Sequence, residues 1–302
     1  MKTLIIVGSI LALLALPALL KPKSHPRLVG PGLASLAHKE VSFENTRDGL
    51  QLAGMLFVPE GDGPHPVAII IHGSGTSKRD SVWYLSVTSF LQQHGIAVLL
   101  PDKRGSEKSE GNWLGSSYED LANDTLAAID FMRQQDHVAV SSIGLIGLSQ
   151  GGWIAPLVAS QSDDLAFVVS MAGAAVTTDE QLAHEEIYNI ESYTYLFLAR
   201  LIAPITVQRL MKMDFFIPIA GFDPIPYWLE TKVPVFFALG EGDRNVPTDA
   251  CIRRLKESGL DEHRIEVYPG GGHALRDPVT NEVSTEFLTD LVDFIAEASS
   301  GE

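Results

Sequence analysis

The sequence predicts an α/β domain with a mostly parallel central sheet flanked by helices. From Lys39 onward, short apolar runs rich in Val, Ile and Leu alternate with longer amphipathic stretches, which is the pattern of βα units. A long interval between Met171 and Val233 contains no convincing strand and is rich in aromatic residues. We therefore predict one domain over residues 39–302, with a helical cap inserted at about residues 174–231.

The first two apolar runs of this domain, Val41–Glu44 and Leu50–Val58, are separated only by the turn Asn45–Gly49 and predict an antiparallel hairpin. Six later runs predict buried strands: Pro66–Ile71, Ile96–Leu100, Ile143–Leu148, Phe167–Met171, Val233–Leu239 and Ile265–Tyr268. Amphipathic stretches between and after them predict helices at about 81–93, 117–135, 151–160, 248–258 and 283–298.

Composition and charge exclude several classes of function. With 45% apolar residues in a chain of 302, a packed core is expected and intrinsic disorder is not. The 22 basic and 38 acidic side chains give a net charge of −16, which opposes binding to nucleic acid and predicts repulsion from anionic lipid surfaces. The single cysteine, Cys251, allows no internal disulfide and no cysteine-based metal cluster.

The N-terminus forms a separate unit. An uncharged apolar run covers residues 4–20, with basic residues on both sides. As a helix this run would be roughly 25 Å long, which is short for a bilayer core of about 30 Å, and the small residues of a signal-peptidase site are poorly represented. Residues 1–24 therefore predict either a signal peptide or a membrane anchor through residues 4–20, and the protein is expected to be exported (periplasmic or secreted) or membrane-anchored.

The clearest chemical motif follows the run Ile143–Leu148. This run continues into Gly147-Leu148-Ser149-Gln150-Gly151 and then into a predicted helix. A G-x-S-x-G sequence between a strand and a helix is typical of a nucleophile elbow, in which the tight turn requires small residues two positions before and after the serine. Ser149 is therefore the candidate nucleophile.

A serine nucleophile needs a base and an acid that orients the base, and both are expected downstream in the order Ser, acid, His. His273 follows the last predicted strand in a glycine-rich loop, Pro269-Gly270-Gly271-Gly272-His273. Asp243 lies in the turn that leaves the strand Val233–Leu239, where Glu241 is the alternative carboxylate. Ser149, Asp243 and His273 are the predicted catalytic residues.

Two backbone N–H groups are expected to stabilise the oxyanion, one after the nucleophile and one after an earlier strand. Gln150 supplies the first. The loop His72-Gly73-Ser74-Gly75 supplies the second, through the Ser74 N–H or alternatively the Gly73 N–H. His72 itself is predicted to brace this loop and not to act as a base.

Together these motifs resemble those of α/β-hydrolases of the serine esterase and serine aminopeptidase type, near the dienelactone-hydrolase-like branch. The segment Asp102–Gly111 is also similar to the D-x-R-G-x-G-x-S-x-G run of that family, with Glu107 in place of its second glycine. The resemblance implies an α/β-hydrolase fold from about Lys39 to the C-terminus and a structural role for Asp102 and Arg104. The dienelactone hydrolases resemble this chain but use a cysteine nucleophile, which argues against their particular substrate.

The expected function is hydrolysis of a carboxylic ester or thioester of a small-molecule acyl substrate through an acyl-Ser149 intermediate. An alternative is a serine aminopeptidase-type peptide hydrolase, in which Glu185, Glu186 and Glu191 would hold a free amino group. An alternative of another class is a non-catalytic, membrane-anchored binding protein on a hydrolase fold. No metal-binding or nucleotide-binding motif is present in the sequence, so no cofactor is implied.

Overall fold

The computed structural model describes residues 26–135 and 138–300, and the predicted N-terminal segment of residues 1–24 lies outside these ranges. Within them, an eight-stranded sheet has the order β1-β2-β4-β3-β5-β6-β7-β8. The strands are β1 Lys39–Asn45, β2 Leu50–Phe57, β3 His65–Ile71, β4 Ala97–Pro101, β5 Val140–Leu148, β6 Phe167–Met171, β7 Val235–Gly240 and β8 Arg264–Tyr268.

Strand directions confirm the predicted sheet. β1 and β2 form an antiparallel hairpin, and β2 pairs antiparallel with β4. All the other neighbouring strands are parallel to each other. The carboxyl ends of β3, β5, β7 and β8 therefore meet at one edge of the sheet, which is where ligands bind in open α/β folds.

Helices connect the strands and cover both faces of the sheet. They are α1 Val82–Gln93, α2 Tyr118–Arg133, α3 Gly151–Ala159, α4 Thr178–Glu191, α5 Leu196–Leu210, α6 Ile225–Glu230, α7 Thr248–Glu257 and α8 Thr285–Ser300. Two of these begin at a capping box, because Ser117 and Thr177 each accept from the backbone N–H three residues later while Asp120 and Glu180 bond back. The capped starts explain where the sequence turns from loop into helix.

The core forms two layers, one on each face of the sheet. On β3, Val67 and Ile69 pack with α2, α3, α6 and α7, whereas Ala68 and Ile70 pack with α1 and α8. Successive side chains of a strand point to opposite faces, so continuous apolar runs are needed when both faces are buried. Each fully buried aliphatic side chain contributes about 1.5–3 kcal/mol.

Three helices, α4, α5 and α6, lie between β6 and β7, in the interval that the sequence predicts to be a cap. We refer to residues 174–231 as the cap. α5 packs against α4, and the fully buried side chains of α5 are the two alanines Ala199 and Ala203. No helix in the ranges 26–135 and 138–300 combines the length and the hydropathy needed to cross a membrane.

Candidate active site

Ser149 lies at the turn between β5 and α3, with a backbone φ of +53°. Non-glycine residues rarely adopt this left-handed conformation, so the surrounding packing must maintain it. A Cβ on Gly147 would lie 2.3 Å from the Gly151 carbonyl oxygen, and one on Gly151 would lie 2.3 Å from that of Ile71. The close approach of these backbones explains why the motif has glycine at both positions.

The structure brings the three predicted catalytic side chains together. Ser149 Oγ lies 2.9 Å from His273 Nε2, and His273 Nδ1 lies 2.9 Å from Asp243 Oδ2. Asp243 is buried, and its other carboxylate oxygen accepts from the backbone N–H groups of Asn245 at 2.7 Å and Val246 at 3.0 Å. In the neutral imidazole this network assigns the proton to Nδ1, which leaves Nε2 free to accept the serine proton.

The alternative carboxylate, Glu241, does not reach His273. It accepts from the backbone N–H of Gly270 at 3.0 Å and so holds the glycine-rich loop from the other side. The end of β7 also contacts this loop, since a Cβ on Gly240 would lie 1.9 Å from the Gly272 carbonyl oxygen. The position of His273 is thus set by close backbone contact with the strand that carries the acid.

Two segments lie where the oxyanion donors are expected. Gly73 directly adjoins Ser149, because a Cβ built on it would lie 3.3 Å from Ser149 Cβ. Its own N–H donates to the Tyr84 hydroxyl at 2.9 Å and is therefore occupied. In the described part of the chain, no hydrogen bond uses the N–H of Ser74 or of Gln150, and both residues line the same cavity as Ser149. This geometry favours Ser74 over Gly73 as the second donor.

A buried lysine joins these two segments, which the sequence analysis did not anticipate. Lys103 Nζ donates to the carbonyl oxygens of Gly73 at 2.7 Å and Gly75 at 3.2 Å, and to Gln150 Oε1 at 2.8 Å. Burial lowers the pKa of Lys103 to about 7. The only signal in the sequence is the position of Lys103, two residues after a buried strand. This signal is not specific, because most lysines lie at the surface.

His72, Asp102 and Arg104, for which structural roles are expected, are each held by neighbouring groups. His72 bonds through Nε2 to the Pro101 carbonyl oxygen, and burial lowers its pKa to about 4, so the ring is neutral and braces the loop. Arg79 holds both carboxylate oxygens of Asp102, at 2.8 and 2.7 Å. Arg104 pairs with Asp124 at 2.7 Å and also with Asp48.

A cavity of about 480 Å³ opens beside Ser149, between the sheet edge and the cap. Its apolar wall comes from both parts of the chain: Trp113, Leu114, Tyr118, Leu121, Trp153, Leu182, Leu210, Phe215, Phe216 and Ile219. Of the cap aromatics, Phe215 and Phe216 line this wall, whereas Phe197 and Tyr193 are exposed to solvent. Three of the five aromatic side chains in this wall, Trp113, Tyr118 and Trp153, therefore come from outside the cap.

One side of the cavity is polar and acidic. Glu185 accepts from Gln181 at 2.9 Å and from Asn245 at 2.8 Å, and Glu186 lies next to it on α4. Burial raises the pKa of the Glu186 carboxyl above its usual value. The third acidic residue of the predicted set, Glu191, pairs instead with Arg244. Among the described residues, no cluster of three or more His, Cys, Asp or Glu side chains could hold a metal ion.

Comparison with known proteins identifies the family. Residues 126–288, which include the elbow, the acid turn and the histidine loop, match the family described as BAAT / acyl-CoA thioester hydrolase C terminal. The chain belongs to this family. This membership confirms the predicted resemblance to esterase-like α/β-hydrolases.

Individual proteins match this chain over only part of their own length. The chain is 36% identical over 117 residues to the thiohydrolase aneE of Aspergillus aculeatus, covering 38% of this chain and 35% of that protein. It is 26% identical over 229 residues to the acylamino-acid-releasing enzyme 1 of Oryza sativa, covering 70% of this chain and 28% of that protein. The chain thus spans about a third of the length of these two relatives.

A solved structure shares the fold over nearly the whole chain. The Pyrococcus furiosus esterase Pf2001 superposes with a TM-score of 0.67 at 20% identity and covers 92% of this chain and 98% of its own. At this identity the likeness establishes the α/β-hydrolase fold, and the chemistry must be argued from the site itself.

Proposed function

We propose that this hydrolase cleaves carboxylic ester or thioester bonds through an acyl-Ser149 intermediate. The observation that carries the proposal is the continuous hydrogen-bond chain from Ser149 through His273 to the buried Asp243, at the wall of a largely apolar cavity. A serine, a base and an orienting acid in this relation form the arrangement that activates a hydroxyl for attack on an acyl carbon.

In the acylation step, Ser149 Oγ attacks the carbonyl carbon while its proton passes to His273 Nε2. Asp243 stabilises the imidazolium through its bond to Nδ1. The carbonyl oxygen becomes an oxyanion, which the N–H groups of Ser74 and Gln150 stabilise, and the N-terminal end of α3 adds a favourable dipole. Collapse of the tetrahedral intermediate breaks the bond to the leaving group, which takes the proton from His273.

In the deacylation step, water attacks the acyl-Ser149 carbonyl and gives its proton to His273 Nε2. The second tetrahedral intermediate uses the same two N–H donors, and its collapse returns the proton to Ser149 Oγ and releases the acid. The enzyme therefore ends each turnover in its starting protonation state.

Ester or thioester substrates are favoured by the shape and chemistry of the cavity. Its aromatic and aliphatic wall suits an apolar acyl group, and its volume of about 480 Å³ falls within the range for small-molecule pockets. The similarity to a thiohydrolase supports thioesters as one class of substrate. The preferred acyl chain length then follows from how far the apolar wall extends.

Peptide hydrolysis is the second candidate because of the acidic side of the same cavity. Glu185 and Glu186 could hold the ammonium group of an aminoacyl substrate, which would favour the ionised form of Glu186. The similarity to an acylamino-acid-releasing enzyme over 70% of the chain supports hydrolysis of a bond to an amino acid. It does not support recognition of an ammonium group, because an acylated amino group carries no charge.

A substrate series with the full chain would test the proposal. p-Nitrophenyl esters from acetyl to palmitoyl, palmitoyl-CoA and alanine p-nitroanilide would be compared, with Ser149→Ala in parallel. We expect a Ser149-dependent rate with a chain-length optimum on the esters or the thioester. Turnover of the anilide alone would favour the peptide alternative, and absence of labelling by a fluorophosphonate probe would contradict the serine mechanism.

A further inference from the structure

Helix α5 carries its large apolar side chains on the outside of the molecule. Phe197 is 66% exposed, Leu201 72%, Ile202 43% and Ile205 59%. We call these four residues the cap stripe. The opposite side of α5, which faces the rest of the protein, is occupied by Ala199 and Ala203, exposed by 0% and 2%. The usual amphipathic pattern, with large apolar side chains inside, is therefore inverted here.

The cap stripe forms a continuous surface. Phe197, Leu201 and Ile205 are four residues apart and lie in one row along the helix, about 12 Å long at 1.5 Å per residue. Tyr193 before the helix and Met213 after it are also exposed, by 66% and 49%. Contiguous apolar surface of this kind usually marks a site of contact with another molecule or with a membrane.

Charges around the cap stripe indicate the nature of that contact. Residues 192–213 contain Arg200, Arg209 and Lys212 and no Asp or Glu, so this segment carries +3 in a chain of net charge −16. All three cations are exposed, and none forms an ion pair with a carboxylate among the described residues. On the helix, Arg200 lies beside the apolar row, and Arg209 lies at its end, four residues after Ile205. Such a row flanked by cations is typical of helices that lie in the surface of an anionic bilayer.

The cap stripe is also close to the active site. Leu210 at the end of α5 and the following Phe215 line the cavity beside Ser149. The described chain begins at Pro26, which lies in a groove with His273 and with Ser192, shortly before α5.

We propose that the cap stripe docks on an anionic lipid bilayer, so that the cavity opens toward the membrane. The net charge predicts repulsion from such a surface, but interactions between exposed charges are largely screened beyond about 8 Å at physiological salt, and the charges within residues 192–213 are all positive. If the proposed esterase function holds, acyl chains would enter the cavity from the lipid.

Site-specific labelling of the full chain tests the docking directly. The native Cys251 is fully buried, and burial raises its pKa to about 12, so a cysteine introduced at an exposed position is labelled selectively. Leu201→Cys is labelled with nitrobenzoxadiazole, whose emission shifts to the blue in an apolar environment. Leu229→Cys on α6 is the matched control, since Leu229 is 56% exposed and precedes the amino end of β7, at the opposite edge of the sheet.

Both labelled proteins are mixed with vesicles of phosphatidylcholine alone or with phosphatidylglycerol. We expect a blue shift and quenching by doxyl-labelled lipid at position 201, only with phosphatidylglycerol, and neither at position 229. A label at 201 that stays in a water-like environment would overturn the proposal, even if the protein binds through other residues. Equal shifts at both positions would also overturn it, since they indicate unfolding on the lipid.

Two outcomes would point to a different occupant of the cap stripe. A blue shift without lipid that grows with protein concentration would indicate that a second copy of the chain covers the cap stripe. A blue shift without lipid that is independent of protein concentration would indicate that another segment of the same chain covers it. Either outcome contradicts lipid docking.

A charge variant tests the role of the two arginines. The double variant Arg200→Gln, Arg209→Gln, labelled at position 201, should need roughly tenfold more anionic lipid to give the same blue shift. An unchanged lipid requirement would contradict the role of charge.

An activity measurement separates docking from the proposed function. Leu201→Ser combined with Ile205→Ser should lower the rate on p-nitrophenyl palmitate carried in anionic vesicles about tenfold or more, while the rate on p-nitrophenyl acetate in solution changes by less than about twofold. Equal loss on both substrates would contradict a membrane role for the stripe. Absence of hydrolysis by the wild type would contradict the proposed function and leave the labelling result to decide the docking.

Discussion

The sheet edge and the cap differ in how closely they are packed. At the sheet edge, a single methyl group added to Gly147 or Gly240 would lie within 2.3 or 1.9 Å of a neighbouring backbone oxygen. In the cap, Leu201 exposes 72% of its surface and nothing in the described structure covers it. The sheet edge therefore holds Ser149, Asp243 and His273 in one geometry. The cap, in contrast, leaves large apolar side chains accessible to other molecules.

This difference predicts two kinds of mutational effect. Changes at the sheet edge should abolish the reaction or destabilise the fold, because several backbone segments depend on each contact. Changes in the cap should alter which substrates or surfaces are preferred and should leave the reaction itself intact.

Ser149→Ala should reduce kcat by about 10³- to 10⁶-fold and leave the free energy of unfolding nearly unchanged, because only the nucleophilic oxygen is removed. Ester hydrolysis and thermal unfolding would be measured on the same preparation. Retention of more than about a tenth of the activity, a far smaller loss than removal of a nucleophile causes, would contradict the assignment.

Asp243→Asn should reduce kcat by about 10⁴-fold, because an amide cannot stabilise the imidazolium and favours the wrong tautomer of His273. Glu241→Gln is the matched control, since Glu241 accepts from the loop backbone and does not touch the imidazole. Its activity should stay within about tenfold of the wild type, because the glutamine carbonyl oxygen can still accept from the Gly270 N–H and only the charge on the acceptor is lost. Similar losses for the two variants would show that the acid has been assigned to the wrong carboxylate.

Gly240→Ala should lower the free energy of unfolding by about 1–3 kcal/mol, because the new Cβ overlaps the Gly272 carbonyl oxygen. The accompanying shift of the His273 loop should also reduce activity. Gly242→Ala, where a Cβ would meet nothing within 4 Å but the backbone φ is +71°, separates backbone strain from collision. A larger loss of activity in the second variant would contradict the importance of the close contact.

Lys103→Met should reduce kcat by about 10- to 100-fold, because the carbonyl of Gly73 and the side chain of Gln150 each lose a charged donor and the two oxyanion segments are no longer tied together. The wild-type rate should also decline as the pH rises through about 7, where Lys103 loses its charge. This decline should be absent from the variant. A parallel pH profile for both proteins would show that Lys103 acts only as structural support.

The same lysine should make stability depend on pH. Folding lowers the pKa of Lys103 to about 7, so between this value and the usual one the unfolded chain binds more protons than the folded chain. The cost of burying the charge therefore disappears as the pH rises. The free energy of unfolding of the wild type, minus that of Lys103→Met, should increase from pH 7 to pH 9 in urea titrations. A constant difference would contradict the lowered pKa.

The smallest effect is expected in the cap. Glu186→Gln should raise KM for an ester with an ammonium group up to about fivefold and leave KM for the matching neutral ester unchanged, because an ion pair formed in a cavity that opens to solvent contributes about 1 kcal/mol or less. Glu230→Gln on the surface of α6 is the control. Equal changes for the two esters would show that Glu186 does not face the substrate.

Most of the sheet could be predicted from the sequence, as could the candidate triad. Runs such as Ile143–Leu148 are continuous in apolar residues because both faces of the strand are buried, and the hairpin follows from a short turn between two such runs. Ser149, Asp243 and His273 each follow a predicted strand, and parallel strands bring their carboxyl ends to one edge. These inferences need only local pattern and the topology it implies.

Contacts between distant segments could not be predicted in this way. Only the packed structure shows that the Gly73 N–H donates to Tyr84, which favours Ser74 as the candidate oxyanion donor. Likewise, only the packed structure shows that Lys103 contacts both segments that carry the candidate donors. The identity of a residue as lysine does not indicate that its side chain is buried. Likewise, the presence of a tyrosine on a helix does not indicate which group its hydroxyl contacts.

By itself, the sequence determined which segments form strands, in which order the motifs follow them, and which residue types stand at the candidate catalytic positions. It also determined that the segment between β6 and β7 is rich in aromatic residues. Each of these depends on local periodicity or on a short turn that only certain residues can form. The tertiary structure decided which cap aromatics face the cavity and which face solvent. Both faces of α5 contain apolar residues, so hydropathy alone cannot orient the helix. Its packing against α4 turned the two alanines inward and left Phe197 and Leu201 outside.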